Sequence, residues 1–497
     1  MNVPSDTSRS SNSREYWVLA LLVIGFALLY AFTAQRGVSW GDSGLYQFRM
    51  LSRNLSGPYG LATSHPLYII LGSAFSSLFA GTARFWAMNA MSGLFMALAV
   101  GGTFCCVKTL THSMTASLLA ALTLGCSHMI WWLSTLAEVY TLSLFFITAE
   151  TYCLIKTLRS PHLRGFLLLA FLNGLHLSAH NFALLAWPVY LVAFIWHVRR
   201  IKSAPIHIIA TLICGCALWM AGSSPLLILA VRDYLMCHDW AATVESVLVD
   251  RYGKQVSGFG GVSWIITLFN FAISGMSLLL PCWIFAIWPT RIVHGMRRLK
   301  RVHAEILFLL ALFLVHFLFW VRYRVADQAT FILPTLFFAI LLSAPAFRTI
   351  RKPVMWACAT FFSAIAIPAI AATLLNAICP SSVRPALPFR NEWNYFALPW
   401  KNAEKSAERF ADAAIRELPP NSFVYADCND IGPMACARID GRLQDGIIFS
   451  LAWANDSSDH DISPSSRWEV RPFGIYRLSP PEATVVKRGT FYEVILP

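Results

Sequence analysis

The chain has 497 residues, of which 57% are hydrophobic and only 13% charged, with a mean hydropathy of +0.56. A soluble domain of this size carries roughly 25% charge, so a wholly soluble protein is excluded and an integral membrane protein is indicated. The net charge of +13 does not point to nucleic acid: residues 380–497 set 13 basic against 15 acidic side chains, and the excess lies in loops between apolar runs.

Residues 1–15 are polar and carry Arg9 and Arg14. The apolar run Tyr16–Ala34 is longer than a signal-peptide core and ends without a small-residue cleavage site, so it reads as an uncleaved first span. Ten further spans are expected near 84–106, 113–133, 137–157, 164–180, 181–197, 206–231, 264–289, 304–321, 328–346 and 354–376. The apolar stretch 67–81 makes a twelfth possible, and loop charge decides between the two counts. With eleven spans and the N-terminus inside, the inner loops collect 17 basic residues and the outer loops 9. Counting 67–81 as a full span reverses the later loops and breaks the positive-inside bias, so it is assigned as a re-entrant or interfacial helix in a long first outer loop, 35–83. The expected organisation is a cytoplasmic tail (1–15), an all-α membrane domain (16–378) and a soluble α/β domain (379–497) on the outer side. The setting expected is a bacterial inner membrane, with periplasm outside.

This orientation gathers Asp42, His65, Glu138, Asp233, Asp239, Glu245, Asp250, Arg322, Arg324 and Asp327 at the outer face, with His176 and His180 at the outer end of their span. Ionisable groups collected at one interface suggest a site there; an ordinary solvated loop face is the plainer alternative, above all for 232–254. In Trp40-Gly41-Asp42-Ser43-Gly44 an Asp between two glycines sits on an adaptable backbone, as does any Asp that closes a turn. His65-Pro66-Leu67-Tyr68 leads into the 67–81 stretch as an ordinary proline helix start. Glu138, before Val139-Tyr140, falls in the first turn of a span, where the helix dipole alone favours an acid. His176 and His180 stand at i and i+4, on one helix face if the helix continues. With no Glu between them they fit hydrogen bonding within the bundle better than metal. Arg322-Tyr323-Arg324-Val325-Ala326-Asp327-Gln328 joins two spans, and its arginines suit either lipid headgroups or a bidentate grip on a phosphate.

In the C-terminal part, 402–418 has helical spacing ended by Pro419-Pro420, and strands are expected at 423–425, 447–449, 473–478 and 490–496. A strand ending at Asp427 suggests a crevice, but a docking or acceptor-presenting module without chemistry is the simpler reading. Cys428 and Cys436 are able to pair only in an oxidising compartment.

WGDSG, HPLY, NAMSG (89–93), AEVYTL, GLHLSAHN and RYRVADQATFILP, followed by the stretch from Ala411 to Gly446, resemble in this order the bacterial membrane proteins related to the eukaryotic transmembrane O-mannosyltransferase. The resemblance runs from about residue 36 to 450. It implies a GT-C glycosyltransferase: a many-span bundle with an outer-face active site and a polyprenyl-phosphate sugar donor, the sugar being mannose or another hexose and the acceptor a protein or glycolipid. Asp42 matches the family's first-loop acid, Glu138 its EVY glutamate and His180 its GL…NH histidine. The implied roles are Asp42 as base, Glu138 as a catalytic partner placing the acceptor or a magnesium or manganese ion, and Arg322 and Arg324 on the donor phosphate. Asp327 would orient an arginine, and Ser43, His65, Tyr140 and His180 would line the site. No metal ligands are assigned. Two departures stand out: Leu45 follows DSG where relatives tend to have a second acid, and SHPLY is shorter than the usual HPPGYPLY. A lipid or glycan transporter, and an inactive envelope assembly factor, are the rival readings.

Overall fold

The computed structural model of the protein describes residues 7–57, 60–249, 253, 264–279, 304–379, 387–426, 428–443, 447–451, 466–469 and 484–495. Asp250, Asp427, the expected strand 473–478 and the part of the 264–289 span beyond 279 lie outside these residues, as does the side chain of Cys428.

Helices occupy the described part of all eleven expected spans. In chain order they are α1 (Thr7–Thr33), α2 (Gly41–Ser52), α3 (Pro66–Ser76), α4 (Ala83–Thr111), α5 (Met114–Gly125), α6 (His128–Leu133), α7 (Val139–Arg159), α8 (Arg164–Ala179), α9 (Phe182–Leu185), α10 (Trp187–Ile201), α11 (Pro205–Cys237) and α12 (Trp240–Leu248). They continue as α13 (Trp264–Leu279), α14 (Ala304–Arg322), α15 (Leu333–Leu342), α16 (Ala344–Phe347) and α17 (Pro353–Ile378). Among the described residues six helices are long and apolar enough to cross a membrane unbroken, within α1, α4, α7, α11, α14 and α17. On α1 the side chains Trp17, Leu21, Ile24, Leu28 and Phe32 recur at helical spacing and are all more than half exposed, which fits a lipid-facing stripe. The expected 113–133 span is divided between α5 and α6 at Cys126-Ser127. A break frees carbonyls that lipid cannot satisfy, and Tyr30 Oη donates to Gly125 O at 2.8 Å. With 11 residues, α3 is too short to cross, in keeping with a re-entrant or interfacial helix.

Helix α4 fixes which ends share a face. At its N-terminal end Arg84 pairs with Asp440 of the C-terminal domain, and near its C-terminal end Lys108 pairs with Glu15 of α1. The helix is 29 residues long, about 40 Å at 1.5 Å per residue, so the cytoplasm-facing candidate Glu15 and the C-terminal domain lie on opposite faces of the bundle.

The C-terminal domain holds α18 (Glu392–Ala397), α19 (Ser406–Glu417), α20 (Cys428–Ile439) and a five-stranded sheet. The strands are β1 (Ser422–Ala426), β2 (Ile448–Leu451), β3 (Ser466–Glu469), β4 (Thr484–Arg488) and β5 (Phe491–Ile495), in the spatial order β2-β1-β3-β5-β4. Central β1 is parallel to both β2 and β3, with Phe423 opposite Ile448 and Arg467. β4 and β5 form a hairpin turned at Gly489, whose φ of +59° suits the tight turn.

Apart from a small cluster of Phe423, Tyr425 and Val494, the described residues of this domain pack into a core shared with the first loop. Val38, Trp40 and Leu45 from the first loop share one buried cluster with Tyr395, Phe410, Met434 and Phe491. Trp40 Nε1 donates to Ser406 Oγ at 2.7 Å, and its ring lies 5.1 Å from that of Phe410. Leu45, where relatives tend to carry an acid, is buried in this cluster, so its apolar side chain serves the docking. At the centre α20 lies against α2 backbone to backbone: a Cβ on Gly432 would stand 2.7 Å from the carbonyl carbon and 2.9 Å from the Cα of Gly44. Neither backbone is able to yield without parting the helices. Gly432→Ala is therefore expected to loosen the domain, read as faster limited proteolysis of the C-terminal part in detergent-solubilised protein; an unchanged cleavage rate would refute the close contact. Cys436, also on α20, is a free buried thiol facing the Gly44 carbonyl.

Candidate functional site

The first outer loop is pinned before it reaches Asp42. Asn89 of α4 donates to Gln35 O at 2.9 Å, and Ser39 N–H donates to Gln47 Oε1 at 2.8 Å. Gly41, at φ +61°, then turns the chain into α2. Asp42 thus lies in the first turn of a helix and is exposed, while Ser43 points inward and donates to Glu138 Oε1 at 2.5 Å. The sequence reading had an adaptable loop here; the helix α2 was missed, although its amphipathic spacing is visible in retrospect.

Glu138 stands one residue before α7 rather than in its first turn. Its N–H donates to Ser92 Oγ at 3.0 Å, and Ser92 Oγ is 2.9 Å from Tyr68 Oη, so NAMSG, HPLY and AEVYTL meet at one hydroxyl. Burial pushes the Glu138 carboxyl up to about 8, with the Ser43 hydrogen bond acting against it and the charges of Asp42 and Asp327 adding to it. Tyr140 Oη donates to Asp327 Oδ2 at 3.1 Å and so ties the 322–328 loop to the same cluster. Asp327 itself is exposed at the rim. Asn270 of α13 fixes this loop through Val325 O, Ala326 O and the N–H of Ala329.

His176 and His180 do not share a helix face. His176 ends α8, but His180 has left the helix, with φ −163° and ψ 144°. The two diverge. His176 Nδ1 is 2.9 Å from Glu150 Oε1, with Tyr190 Oη donating to Glu150 Oε2 at 2.7 Å and Ser143 Oγ 2.7 Å from His176 Nε2. This buried set joins α7, α8 and α10 below the site and gives His176 the bundle hydrogen bonding expected of it. His180 instead stacks on His65.

Asp42, Ser43, His65, Glu138, Tyr140, His180 and Asp327 are thus brought to one cluster on the face that carries the C-terminal domain. Arg322 is exposed at the end of α14, and the Arg324 guanidinium lies 4.7 Å from the centre of the Trp264 ring; both adjoin the site through Asp327 in the chain. Sequence reasoning overlooked Arg49. It is buried and donates to the carbonyls of Asn54, Leu55, Thr63 and Ser64, closing the loop that delivers His65. Among the described residues no three His, Cys, Asp or Glu side chains are grouped closely enough to hold a metal ion.

A many-helix membrane bundle with its polar cluster at one face and an α/β domain packed over it is also the fold of a solved structure. ArnT from Cupriavidus metallidurans bound to undecaprenyl phosphate superimposes with a TM-score of 0.61 over 96% of this chain and 97% of that one, at 13% identity. The Archaeoglobus fulgidus oligosaccharyltransferase in complex with zinc and sulfate gives 0.48 at 12% identity, over 85% and 62%. The S. cerevisiae protein O-mannosyltransferase Pmt1-Pmt2 complex bound to the sugar donor gives 0.35 at 17% identity, over 48% and 35%. By sequence, residues 60–203 match the family described as the protein O-mannosyl-transferase TMEM260 N-terminal domain. The matched segment carries His65, Glu138, Tyr140 and His180; Asp42 and the 322–328 loop lie outside it. No curated protein matches the chain.

Proposed function

We propose that the protein is a GT-C glycosyltransferase that moves mannose or another hexose from a polyprenyl phosphate to an acceptor hydroxyl on a protein or glycolipid. The site would lie on the outer, periplasmic face of a bacterial inner membrane, with the N-terminus cytoplasmic. The observation that carries the reading is the convergence of three carboxylates, Asp42, Glu138 and Asp327, with two tyrosines and two imidazoles at the face that bears the C-terminal domain. The fold shared with ArnT, and the match of residues 60–203 to an O-mannosyltransferase domain, support it.

Asp42 is exposed at the start of α2, and an ionised acid there carries no burial cost. As base it takes the acceptor's hydroxyl proton; the acceptor oxygen bonds to the sugar's anomeric carbon as the bond from that carbon to the phosphate oxygen breaks. The electron pair leaves on polyprenyl phosphate, whose growing charge Arg322 and Arg324 stabilise. Glu138, largely protonated at neutral pH, positions Ser43 and the start of α2. Membrane lipids flank the exposed helices.

The test is direct. Purified protein in lipid nanodiscs is given undecaprenyl-phosphate mannose and membrane extract, and released undecaprenyl phosphate and mannosylated product are followed by mass spectrometry. Release coupled to a new glycoside supports the reading. Movement of the intact donor across the bilayer, with no bond broken, would replace it with a transporter.

A further inference from the structure

The stacked histidines have a chemistry of their own. His65 and His180 come from segments 115 residues apart, yet their rings lie parallel, with an interplanar angle of 4° and centres 5.1 Å apart. Both are buried. Each ring spends its Nδ1 on the same short turn. His65 Nδ1 is 2.9 Å from Ala179 O; a carbonyl only accepts, so this nitrogen carries a proton. His180 Nδ1 accepts from Phe182 N–H at 3.1 Å, so this nitrogen carries none. Burial disfavours a charge on either ring, Arg49 stands near His65, and two imidazolium ions would repel at this distance, so the pair is neutral. The tautomers follow: the Nε2 of His65 is a bare acceptor, and the Nε2 of His180 is an N–H donor.

Both Nδ1 edges face residues 179–182, so both Nε2 edges face away from that turn. Neither Nε2 has a hydrogen-bond partner among the described residues, and neither is sealed from solvent. Tyr46 meets the edge of His65 and Tyr140 flanks His180, so the pair is walled by aromatic rings. His65 also sits at φ +46° directly before Pro66, a conformation a bulky residue adopts only when its surroundings impose it.

We propose that His65 and His180 form a hydroxyl-recognition pair, one nitrogen accepting and its neighbour donating, that binds the ring hydroxyls of a neutral hexose. A neutral pair suits a sugar and offers no charge to the phosphate, which separates its role from that of the arginines. The proposal rests on the glycosyltransferase reading and deepens it, since the sugar would belong either to the lipid donor or to a glycan acceptor.

Asparagine isolates the atoms concerned. In His65→Asn the side-chain amide N–H replaces Nδ1–H toward Ala179 O, and asparagine tolerates positive φ. In His180→Asn the amide oxygen replaces Nδ1 toward Phe182 N–H. Each variant keeps its structural bond and loses only Nε2. Binding to full-length protein in nanodiscs is measured for undecaprenyl-phosphate mannose, bare undecaprenyl phosphate and methyl α-mannopyranoside. The expected result is that wild type prefers the mannosylated lipid to the bare one, that each variant loses about tenfold of this preference, and that bare lipid binds all three alike. A His-dependent loss seen with the methyl glycoside instead, with the lipids unaffected, places the pair on an acceptor sugar and upholds it. A mannose preference that survives in both variants, with no histidine-dependent loss for the methyl glycoside, overturns the pair while leaving the glycosyltransferase reading intact. Failure of wild type to bind either lipid overturns the donor reading, and if the methyl glycoside also shows no histidine dependence, the pair falls with it.

Discussion

Asp42→Asn is expected to lower turnover of undecaprenyl-phosphate mannose by about 10²- to 10⁴-fold, the contribution of a positioned general base. The side chain is exposed in the first turn of α2 and asparagine keeps its shape, so expression and thermal stability should stay within about 0.5 kcal/mol of wild type. The same variant, returned to a deletion strain, should fail to restore the sugar that wild type restores on envelope proteins or lipids, as read by mass spectrometry. Equal restoration by both would remove Asp42 from the chemistry and move the search for a base to Glu138 or Asp327.

Glu138→Gln should change how stability depends on pH. The folded protein holds the Glu138 proton up to about pH 8, against 4.5 for an unperturbed glutamate, chiefly because the carboxyl is buried. Between those values the native state binds a proton that the unfolded chain has released, so stability falls as pH rises through this window and levels off above it. The neutral amide mimics the protonated form and removes that slope. Wild type should therefore lose on the order of 3 kcal/mol more than the glutamine variant between pH 5 and 8, seen as a larger drop in Tm. Parallel curves for the two proteins would mean that Glu138 does not titrate there.

Much of this was readable along the chain. Span-length apolar runs gave the helices, because a bilayer demands length and hydropathy that composition records directly. That Asp42, Glu138, His180 and Asp327 share one face was expected from loop charge, and the resemblance pointed to Asp42, Glu138 and His180. What escaped reading depends on contacts between distant segments. The helical character of α2 was masked by Gly41-Asp42-Ser43-Gly44, which looks like a turn until Gly432 is placed against it. The i, i+4 spacing of His176 and His180 implied a shared face, but the helix ends between them, and Glu150 and His65 claim them separately. Arg49 reads as one more basic loop residue; only the fold shows it spending its donors on four carbonyls. The shared core of Trp40 and Phe410 joins positions too far apart for any periodicity to register.

That shared core also sets a schedule. Cys436 meets Gly44 across 392 residues of chain. At roughly 5–20 residues per second, α2 waits about 20–80 s after its own synthesis for the helix that completes its seat. The preceding membrane spans have been made by then, and α2 gains its contact with α20 only when residues 428–439 have been synthesised. A nascent chain stalled before α20 would leave the buried face of α2 that Gly432 and Cys436 cover without its cover.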